Sequence, residues 1–178
     1  ENHDEPRAAA TFADQKARAA AVTFATLPGA RLFHEGQFEG RRVRLPVFLR
    51  RRPEEIPDRN LQGFYHSLLQ TLRSTDVSEG EWKLCERTGW PDNDRYLNVV
   101  AWCWQKGADR HLIVVNLSGV RSQTQVRLPW GDLAGRPWRL SDPLQKTVFD
   151  RAGDELHASG LYVDLEPWGY YVLHCERN

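Results

Sequence analysis

One stretch of the sequence decides the fold of the chain: His111-Leu112-Ile113-Val114-Val115-Asn116-Leu117. Every residue between His111 and Asn116 is apolar, with no alternation between apolar and polar side chains. A strand that is buried on both faces has this pattern, because neither of its sides meets water. The stretch therefore predicts a strand that is covered on both sides.

Shorter strand patterns lie on either side of this stretch. In residues 96–104, apolar residues alternate, and Leu97, Val99, Ala101 and Cys103 form one face. Further strand patterns occupy residues 123–128, 161–165 and 170–175. Turn residues separate these patterns at 106–109, 151–154 and 159–160. Many short strands at this spacing predict an antiparallel sandwich.

The composition changes near the polar segment of residues 74–80. All seven tryptophans follow this segment, whereas alanine is concentrated in residues 8–30. Alanine favours helix, while tryptophan and β-branched residues favour strands. We therefore place a domain boundary there, with a mostly helical unit at residues 1–80 and the antiparallel β-sandwich at residues 81–178.

The first unit contains two clear helix patterns. Residues 16–27 carry apolar side chains at helical spacing and end at Pro28-Gly29. Asp58 is a predicted N-cap for the second helix. Its broad apolar face consists of Leu61, Phe64, Tyr65, Leu68, Leu69 and Leu72.

Weaker signals complete the predicted fold class of the chain. Pro6 suits the first turn of a further helix. Ala30-Arg31-Leu32-Phe33-His34 has the pattern of a short strand, and Gly36-Gln37-Phe38-Glu39-Gly40 that of the loop after it. The predicted fold class is thus α+β: two to three helices and a short strand, followed by an antiparallel all-β sandwich.

Composition and charge exclude several classes of protein. The chain has 178 residues, with 24 basic and 24 acidic side chains, so its formal net charge is zero. This balance argues against a partner such as nucleic acid, which is usually bound by a basic surface. No apolar stretch approaches the roughly 18 residues that a membrane helix needs. Because the sequence contains no methionine, we expect a chain that was processed or cut from a longer one.

Few residues have the spacing of a metal or cofactor site. Cys85, Cys103 and Cys175 form no CxxC pair and lie in apolar stretches, so buried thiols are expected. Residues 36–40 lack the glycine patterns that bind nucleotides. Asp92-Asn93-Asp94 is interpreted as a turn rather than a calcium site, and Arg50-Arg51-Arg52 as a solvated loop rather than a phosphate site. The remaining histidines are His66, His111, His157 and His174, which show no metal-ligand spacing; we predict no cofactor and no metal.

The strongest functional signal is the order of several motifs along the chain. It begins at Asn2-His3-Asp4 and continues through an alanine-rich helix to Thr26-Leu27-Pro28-Gly29. A short strand, the 36–40 loop and a helix ending at Leu72-Arg73 follow, and the β-domain contains Val114-Val115-Asn116-Leu117-Ser118. Taken alone, Asn2-His3-Asp4 also fits a polar loop in which Asp4 or Glu5 caps the next helix.

This succession resembles the C-terminal part of the alpha-amylase family of glycoside hydrolases. The resemblance implies that residues 1–80 are the last strand and helices of a catalytic (β/α)8 barrel, and that residues 81–178 are the sandwich domain behind it. It also implies that Asp4 is the third catalytic carboxylate and that His3 binds the same sugar. Hydrogen bonds to ring hydroxyls that tighten in the transition state would supply this role.

The resemblance also has departures, which leave the subfamily and substrate open. His34 stands where a tyrosine is usual, and Gln37-Phe38-Glu39 places a glutamate one position late. The nucleophile and the acid/base come from the fourth and fifth strands in that family, which would precede Glu1. The resemblance therefore implies an α-glucan or oligosaccharide substrate for a retaining parent enzyme, and an inactive fragment. A glucosyl transferase or isomerase of the same family is an alternative parent.

Two further interpretations concern the sandwich and the helices. Exposed Trp90, Trp130 or Trp138 would stack on sugar rings in a carbohydrate-binding module, although filling of the core is the simpler expectation. A purely structural domain is the other alternative. The helical unit has apolar faces that need a partner surface, so we predict that they fold back on the sandwich or pair with another copy; they carry Phe24, Leu32, Phe64, Leu68 and Leu72.

Overall fold

The computed structural model describes residues 1–49, 51–75 and 79–178. Four helices lie in this part of the chain: α1 (Ala8–Thr11), α2 (Asp14–Thr26), α3 (Arg59–Ser74) and α4 (Gly153–Ala158). The strands are β1 (Glu81–Leu84), β2 (Arg87–Thr88), β3 (Val99–Lys106), β4 (Asp109–Asn116), β5 (Ser122–Val126), β6 (Pro137–Asp142), β7 (Thr147–Ala152), β8 (Leu161–Leu165) and β9 (Tyr170–Arg177). A short 3₁₀ helix, Arg95–Asn98, precedes β3.

The strands form two antiparallel sheets that face each other. One sheet has six strands in the order β1-β3-β4-β9-β6-β7, and the other has three in the order β2-β5-β8. Every strand pair in the described residues is antiparallel. The predicted antiparallel β-sandwich and the α+β fold class are therefore confirmed.

Strand β4 lies in the middle of the larger sheet, and it is buried along nearly its whole length. It pairs with β3 on one side and with β9 on the other. Alternate side chains of a strand point to opposite faces, so Leu112 and Val114 enter the sandwich interior while Ile113 and Val115 face the other way. The prediction of a strand covered on both sides is confirmed.

The interior of the sandwich is the larger of the two apolar cores. It contains side chains from both sheets and from α4, including all three cysteines. Its buried members are Cys85, Val99, Ala101, Cys103, Leu112, Val114, Val126, Trp130, Leu133, Trp138, Leu140, Leu156, Leu161, Val163, Leu165, Leu173 and Cys175. Burial at about 25 cal/mol per Å² makes such a core the main source of stability.

The second core lies on the outer face of the six-stranded sheet, where α2 and α3 pack. Its buried members are Ala19, Ala21, Val22, Ala25, Leu61, Phe64, Tyr65, Leu68, Trp102, Trp104, Ile113, Val115, Tyr170 and Val172. Small alanines on α2 let this helix approach the large indoles of β3. The predicted apolar faces thus fold back on the sandwich, with Phe64 and Leu68 buried, whereas Leu32 stays exposed. Pairing with another copy remains a prediction.

Two indoles fasten the end of α2 to this sheet. The Nε1–H groups of Trp102 and Trp104 both donate to the carbonyl oxygen of Thr26, at 3.3 and 2.7 Å. The last carbonyls of a helix have no partner within the helix, so a buried one needs a donor from elsewhere. Here the donors are the two indoles of β3, and they take the place of water as partners of the Thr26 carbonyl at the end of α2.

The ends of α2 and α3 agree with the sequence expectations. Asp58 is the N-cap of α3, and its Oδ1 accepts hydrogen bonds from the backbone N–H groups of Asn60 and Leu61, both at 3.0 Å. Helix α2 ends just ahead of Pro28 and Gly29. Of the predicted boundary segment at residues 74–80, Asp76, Val77 and Ser78 lie outside the described residues.

Three local expectations are wrong. Residues 30–34 form no strand, because a strand needs a hydrogen-bonded neighbour and none of the described strands lies beside them. Leu97 belongs to the 3₁₀ helix rather than to the strand of residues 96–104. The turn expected at residues 151–154 is instead the end of β7 and the start of α4.

Strands β1, β2, β6 and β7 were not predicted from the pattern. Residues of β7 alternate only between half-buried and exposed positions, so polar side chains interrupt the apolar signal. Strand β2 is two residues long. No helix in the described part of the chain has the length and apolar character to cross a bilayer.

The Thr26 contact gives a direct test of this packing. Replacing Trp104→Phe removes the 2.7 Å hydrogen bond and leaves the Thr26 carbonyl with the longer bond from Trp102. We expect the free energy of unfolding to fall by about 1 kcal/mol more than in the control Trp82→Phe. The Trp82 indole nitrogen has no hydrogen-bond partner among the described residues and belongs to the same core, which makes it a matched control. Urea unfolding measures both; equal losses would contradict the role of the bond.

Candidate functional site

His3 and Asp4 lie together in a turn that Asn2 holds. The Asn2 side-chain oxygen accepts hydrogen bonds from the backbone N–H groups of Asp4, at 2.8 Å, and Glu5, at 3.1 Å. Asparagine favours such turns because its amide imitates a backbone group. The His3 imidazole and the Asp4 carboxylate are exposed, with Nε2 and Oδ2 3.3 Å apart. The turn therefore presents both polar groups to solvent side by side.

The alternative role of Asp4 or Glu5 as a helix cap is wrong. The N-cap residue of α1 is Arg7, and neither acidic side chain bonds to the first turn in the described contacts. Instead the carboxylate of Glu1 accepts a hydrogen bond from the backbone N–H of Ala8. The carboxylate of Asp4 is thus free of a capping role.

Arg7 anchors this segment, and the motif order did not single it out. Its guanidinium lies 2.9 Å from the Glu1 carboxylate and donates a 2.8 Å hydrogen bond to the carbonyl oxygen of Glu35. Both Arg7 and the Glu1 side chain are almost fully buried. A buried charge needs such partners, so this pair fixes the turn of His3 and Asp4 against the next loop. In the sequence, Arg7 was marked only by its position as a basic residue at the start of an alanine-rich run.

The glycine loop of residues 36–40 lies beside Arg7. Gly36 and Gly40 have φ values of 82° and 67°, which favour glycine. A Cβ on Gly36 would lie 2.6 Å from Arg41 Cγ and 2.9 Å from the Arg7 guanidinium, so these side chains would have to shift to admit it. Gln37 is buried; its amide donates to the Tyr65 hydroxyl at 3.1 Å and accepts from the His34 N–H at 3.1 Å. Burial, opposed by the Gln37 hydrogen bond, raises the pKa of Tyr65 above its usual value.

An open groove of about 400 Å³ adjoins the turn. Its lining residues are His3, Asp4, Arg44, Leu45, Pro46, Val47 and Phe48. Arg44 Nε donates a 3.2 Å hydrogen bond to the His3 carbonyl oxygen, which ties the groove's second wall to the turn. Asp4 is the one carboxylate among these lining residues. The groove can therefore bind hydroxyl groups, but it lacks the pair of carboxylates that glycoside hydrolysis uses.

The tryptophans expected in an accessory sugar site separate into two groups. Trp130 and Trp138 are buried and stack on each other, with the Arg110 guanidinium 5.3 and 5.2 Å from their ring centres. They fill the core, so an exposed platform built on them is wrong. Trp90 is 42% exposed, and its ring lies 6.4 Å from that of Tyr162, which is 44% exposed. These two rings lie 35° from parallel and form a small aromatic surface.

Two further expectations, the buried thiols and the turn near residues 92–94, agree with the structure, and the basic run lies partly outside the described residues. All three cysteines are free and buried, and burial raises the pKa of Cys175 far above its usual range. Asn93 lies in a turn, where its side chain accepts a hydrogen bond from the Arg95 N–H. In the basic run, Arg50 lies outside the described residues and Arg52 contacts Glu35.

One group of side chains has the composition of a metal site. It consists of Asp109, His111 and His174, whose ligand atoms lie within 4.8 Å of one another. Spacing along the sequence did not reveal it, because His111 and His174 are 63 residues apart and meet only through the pairing of β4 with β9. Among the described residues no second group of this kind occurs.

Comparisons of sequence find no relative. No protein-family model matches the chain. No curated protein sequence matches it either.

Comparisons of structure find many matches to solved structures. A noncanonic maltogenic alpha-amylase, AmyB from Thermotoga neapolitana, is 17% identical with a TM-score of 0.78, over 98% of this chain and 39% of that one. An alpha-amylase from Geobacillus thermoleovorans is 13% identical with a TM-score of 0.74, over 99% and 38%. Trehalose-6-phosphate hydrolase from Bacillus licheniformis is 17% identical with a TM-score of 0.60, over 99% and 42%.

The share of each chain that the structural match covers shows how this chain compares in length with these enzymes. The chain is matched along nearly its whole length, but it spans only about two fifths of these enzymes. The match along the chain agrees with the resemblance carried by the order of motifs. Over its whole length the chain therefore has the fold of part of an alpha-amylase-family enzyme.

Proposed function

We propose that the chain is the C-terminal part of an alpha-amylase-type glycoside hydrolase that acts on α-glucosidic bonds. In this proposal residues 1–80 are the end of the catalytic (β/α)8 barrel and residues 81–178 are the sandwich domain behind it. The observation that carries the proposal is the turn that presents His3 and Asp4 together at an open groove. The fold shared with alpha-amylases supports it.

Asp4 would act on the sugar at the cleavage point without forming a bond to it. An ionised carboxylate accepts two hydrogen bonds from neighbouring ring hydroxyls. As the ring flattens towards an oxocarbenium ion, those bonds tighten and lower the barrier by several kcal/mol. His3, adjacent to Asp4, would hold the same sugar through its ring nitrogens. Both residues are exposed and bonded only weakly to the protein, which leaves them free for a ligand.

The reaction would be a retaining double displacement, which needs a nucleophile and an acid/base. Asp4 is the one carboxylate among the residues that line the groove. Both missing groups would come from the remainder of the parent enzyme. We therefore expect no turnover of starch, maltooligosaccharides or trehalose by the isolated chain.

The loop beside the groove supports a larger parent. Val47, Phe48 and Ile56 are 76, 81 and 98% exposed, although each is strongly apolar. Apolar surface gathered in one loop favours contact with another protein surface. In this proposal the surface belongs to the preceding part of the barrel, and it covers the loop in the parent enzyme.

The role of Asp4 is tested in the parent enzyme. Asp4→Asn removes the charge and one acceptor while keeping the shape of the side chain. We expect kcat on maltooligosaccharides to fall by roughly 10²–10⁴-fold with a smaller change in KM, because the bonds act mainly in the transition state. The exposed neighbour Glu5→Gln is the control and should leave kcat within about twofold.

Three measurements would contradict this proposal. One is turnover by the isolated chain, and another is an unchanged kcat in Asp4→Asn. A third is a parent sequence without a nucleophile and an acid/base, which would favour a purely structural domain. Analysis of the products separates hydrolysis from glucosyl transfer or isomerisation, since only hydrolysis incorporates an oxygen atom of solvent water for each bond cleaved.

A second candidate function is sugar binding by the sandwich, which the Trp90–Tyr162 surface favours. Two half-exposed rings offer apolar faces that stack on pyranose rings. We expect the chain to be retarded on an amylose column and Trp90→Ala to abolish the retardation. Leu84→Ala removes another exposed apolar side chain of the sandwich, outside this aromatic surface and outside the groove of Asp4, and serves as the control. Equal migration of the wild type and Trp90→Ala would exclude this surface.

A further inference from the structure

The cluster of Asp109, His111 and His174 has a position in the fold that spacing alone could not predict. His111 on β4 lies directly opposite His174 on β9, and Asp109 precedes His111 by two residues. Side chains two residues apart on a strand share a face, so all three project from the same face of the sheet. That face carries α2 and α3, and the cluster lies beyond the end of α3.

The three side chains converge on one point. His111 Nε2 lies 3.0 Å from one carboxylate oxygen of Asp109, and His174 Nε2 lies 2.8 Å from the other. The two imidazole rings stack with centres 4.9 Å apart and planes 23° from parallel. Ligand atoms around a tetrahedral metal with bonds of about 2.0–2.1 Å are roughly 3.3 Å apart. Small rotations of the side chains would therefore admit an ion between the atoms.

The surroundings have features that metal sites use. His174 Nδ1 lies 3.4 Å from the carboxylate of Glu176, an arrangement that orients a histidine with Nε2 directed at a metal. The His111 side chain is only 3% exposed, so it is held rigidly, whereas Asp109 and His174 are about one third exposed. A groove of about 500 Å³ at the end of α3 is lined by Asp109 and His174, together with Ser74, Thr75 and Asp142. It gives an ion a path and leaves room for a water ligand.

The donor set selects the class of metal. Two imidazole nitrogens and one carboxylate suit a transition-metal ion, of which Zn²⁺ is the usual example. Calcium and magnesium prefer oxygen ligands, so two histidines make them poor occupants. The two carboxylates, Asp109 and Glu176, supply negative charge that a divalent cation would balance.

We propose that Asp109, His111 and His174 form a binding site for a divalent transition-metal ion of the Zn²⁺ type, oriented by Glu176. The ion would replace the direct contacts between Asp109 and the two imidazoles, and it would join β4 to β9 at the end of the sheet. This site lies in the sandwich and is independent of the proposed action of Asp4 on sugars.

The test uses the full chain after treatment with EDTA and return to metal-free buffer. Calorimetric titration with Zn²⁺ should show one site per chain, and saturating Zn²⁺ should raise the melting temperature. His174→Gln and Asp109→Asn should weaken binding by at least roughly 10²-fold, and Glu176→Gln by about tenfold. His66→Gln and His157→Gln replace exposed histidines elsewhere and should bind Zn²⁺ as the wild type does.

Other outcomes would overturn the proposal. One is the lack of saturable binding at submillimolar Zn²⁺, and another is an affinity of His174→Gln for Zn²⁺ equal to that of the wild type. A third is a Co²⁺ complex with a thiolate charge-transfer band, because that band would assign the metal to a cysteine. If a variant fails to fold, NMR of the wild type still decides. The imidazole signals of His111 and His174 should then shift on addition of Zn²⁺, and shifts confined to the other histidines would contradict the site.

Discussion

The central strands of the six-stranded sheet are apolar on both faces, and the layers on either side of the sheet pack against them. In β4, Leu112 and Val114 pack in the sandwich interior, while Ile113 and Val115 pack against the helices. A sheet with two apolar faces needs a layer on each side, because exposure of either would cost about 25 cal/mol per Å². The three-stranded sheet covers one face, and α2 and α3 cover the other.

The helical layer connects the six-stranded sheet to the candidate sugar site. Trp102 and Trp104 bind the last carbonyl of α2, and Tyr65 of α3 binds Gln37 in the glycine loop. Glu35, directly before that loop, accepts a hydrogen bond from Arg7 at its backbone carbonyl, and Arg7 pairs with Glu1. The turn of His3 and Asp4 is thereby held by a continuous series of buried contacts that begins at the sheet. Exposed reactive groups on a rigid support are what a binding site requires.

The outer face of the sheet also explains where the histidine cluster lies. The helices cover Ile113 and Val172, but α3 ends at Ser74, beside the start of β4 and the end of β9. The same register that makes the middle rows apolar places His111 and His174 opposite each other where the cover ends. Polar side chains are tolerated there because both imidazoles bond to Asp109, and because Asp109 and His174 are about one third exposed. The same face of the sheet thus packs against the helices at its middle and carries a polar cluster at its end.

Local patterns along the chain were sufficient to predict several elements. The uninterrupted run before Asn116 predicted the central strand, Asp58 predicted the start of α3, and the order of motifs predicted a fold shared with alpha-amylases. Tertiary structure alone decided which groups meet. The packing of Arg110 on Trp130 and Trp138, the hydrogen bond of Arg7 to Glu35 and the meeting of His111 with His174 all follow from contacts between residues that are distant in sequence. Residues 30–34 show the same dependence, since a strand pattern forms a strand only where a neighbouring strand supplies its hydrogen bonds.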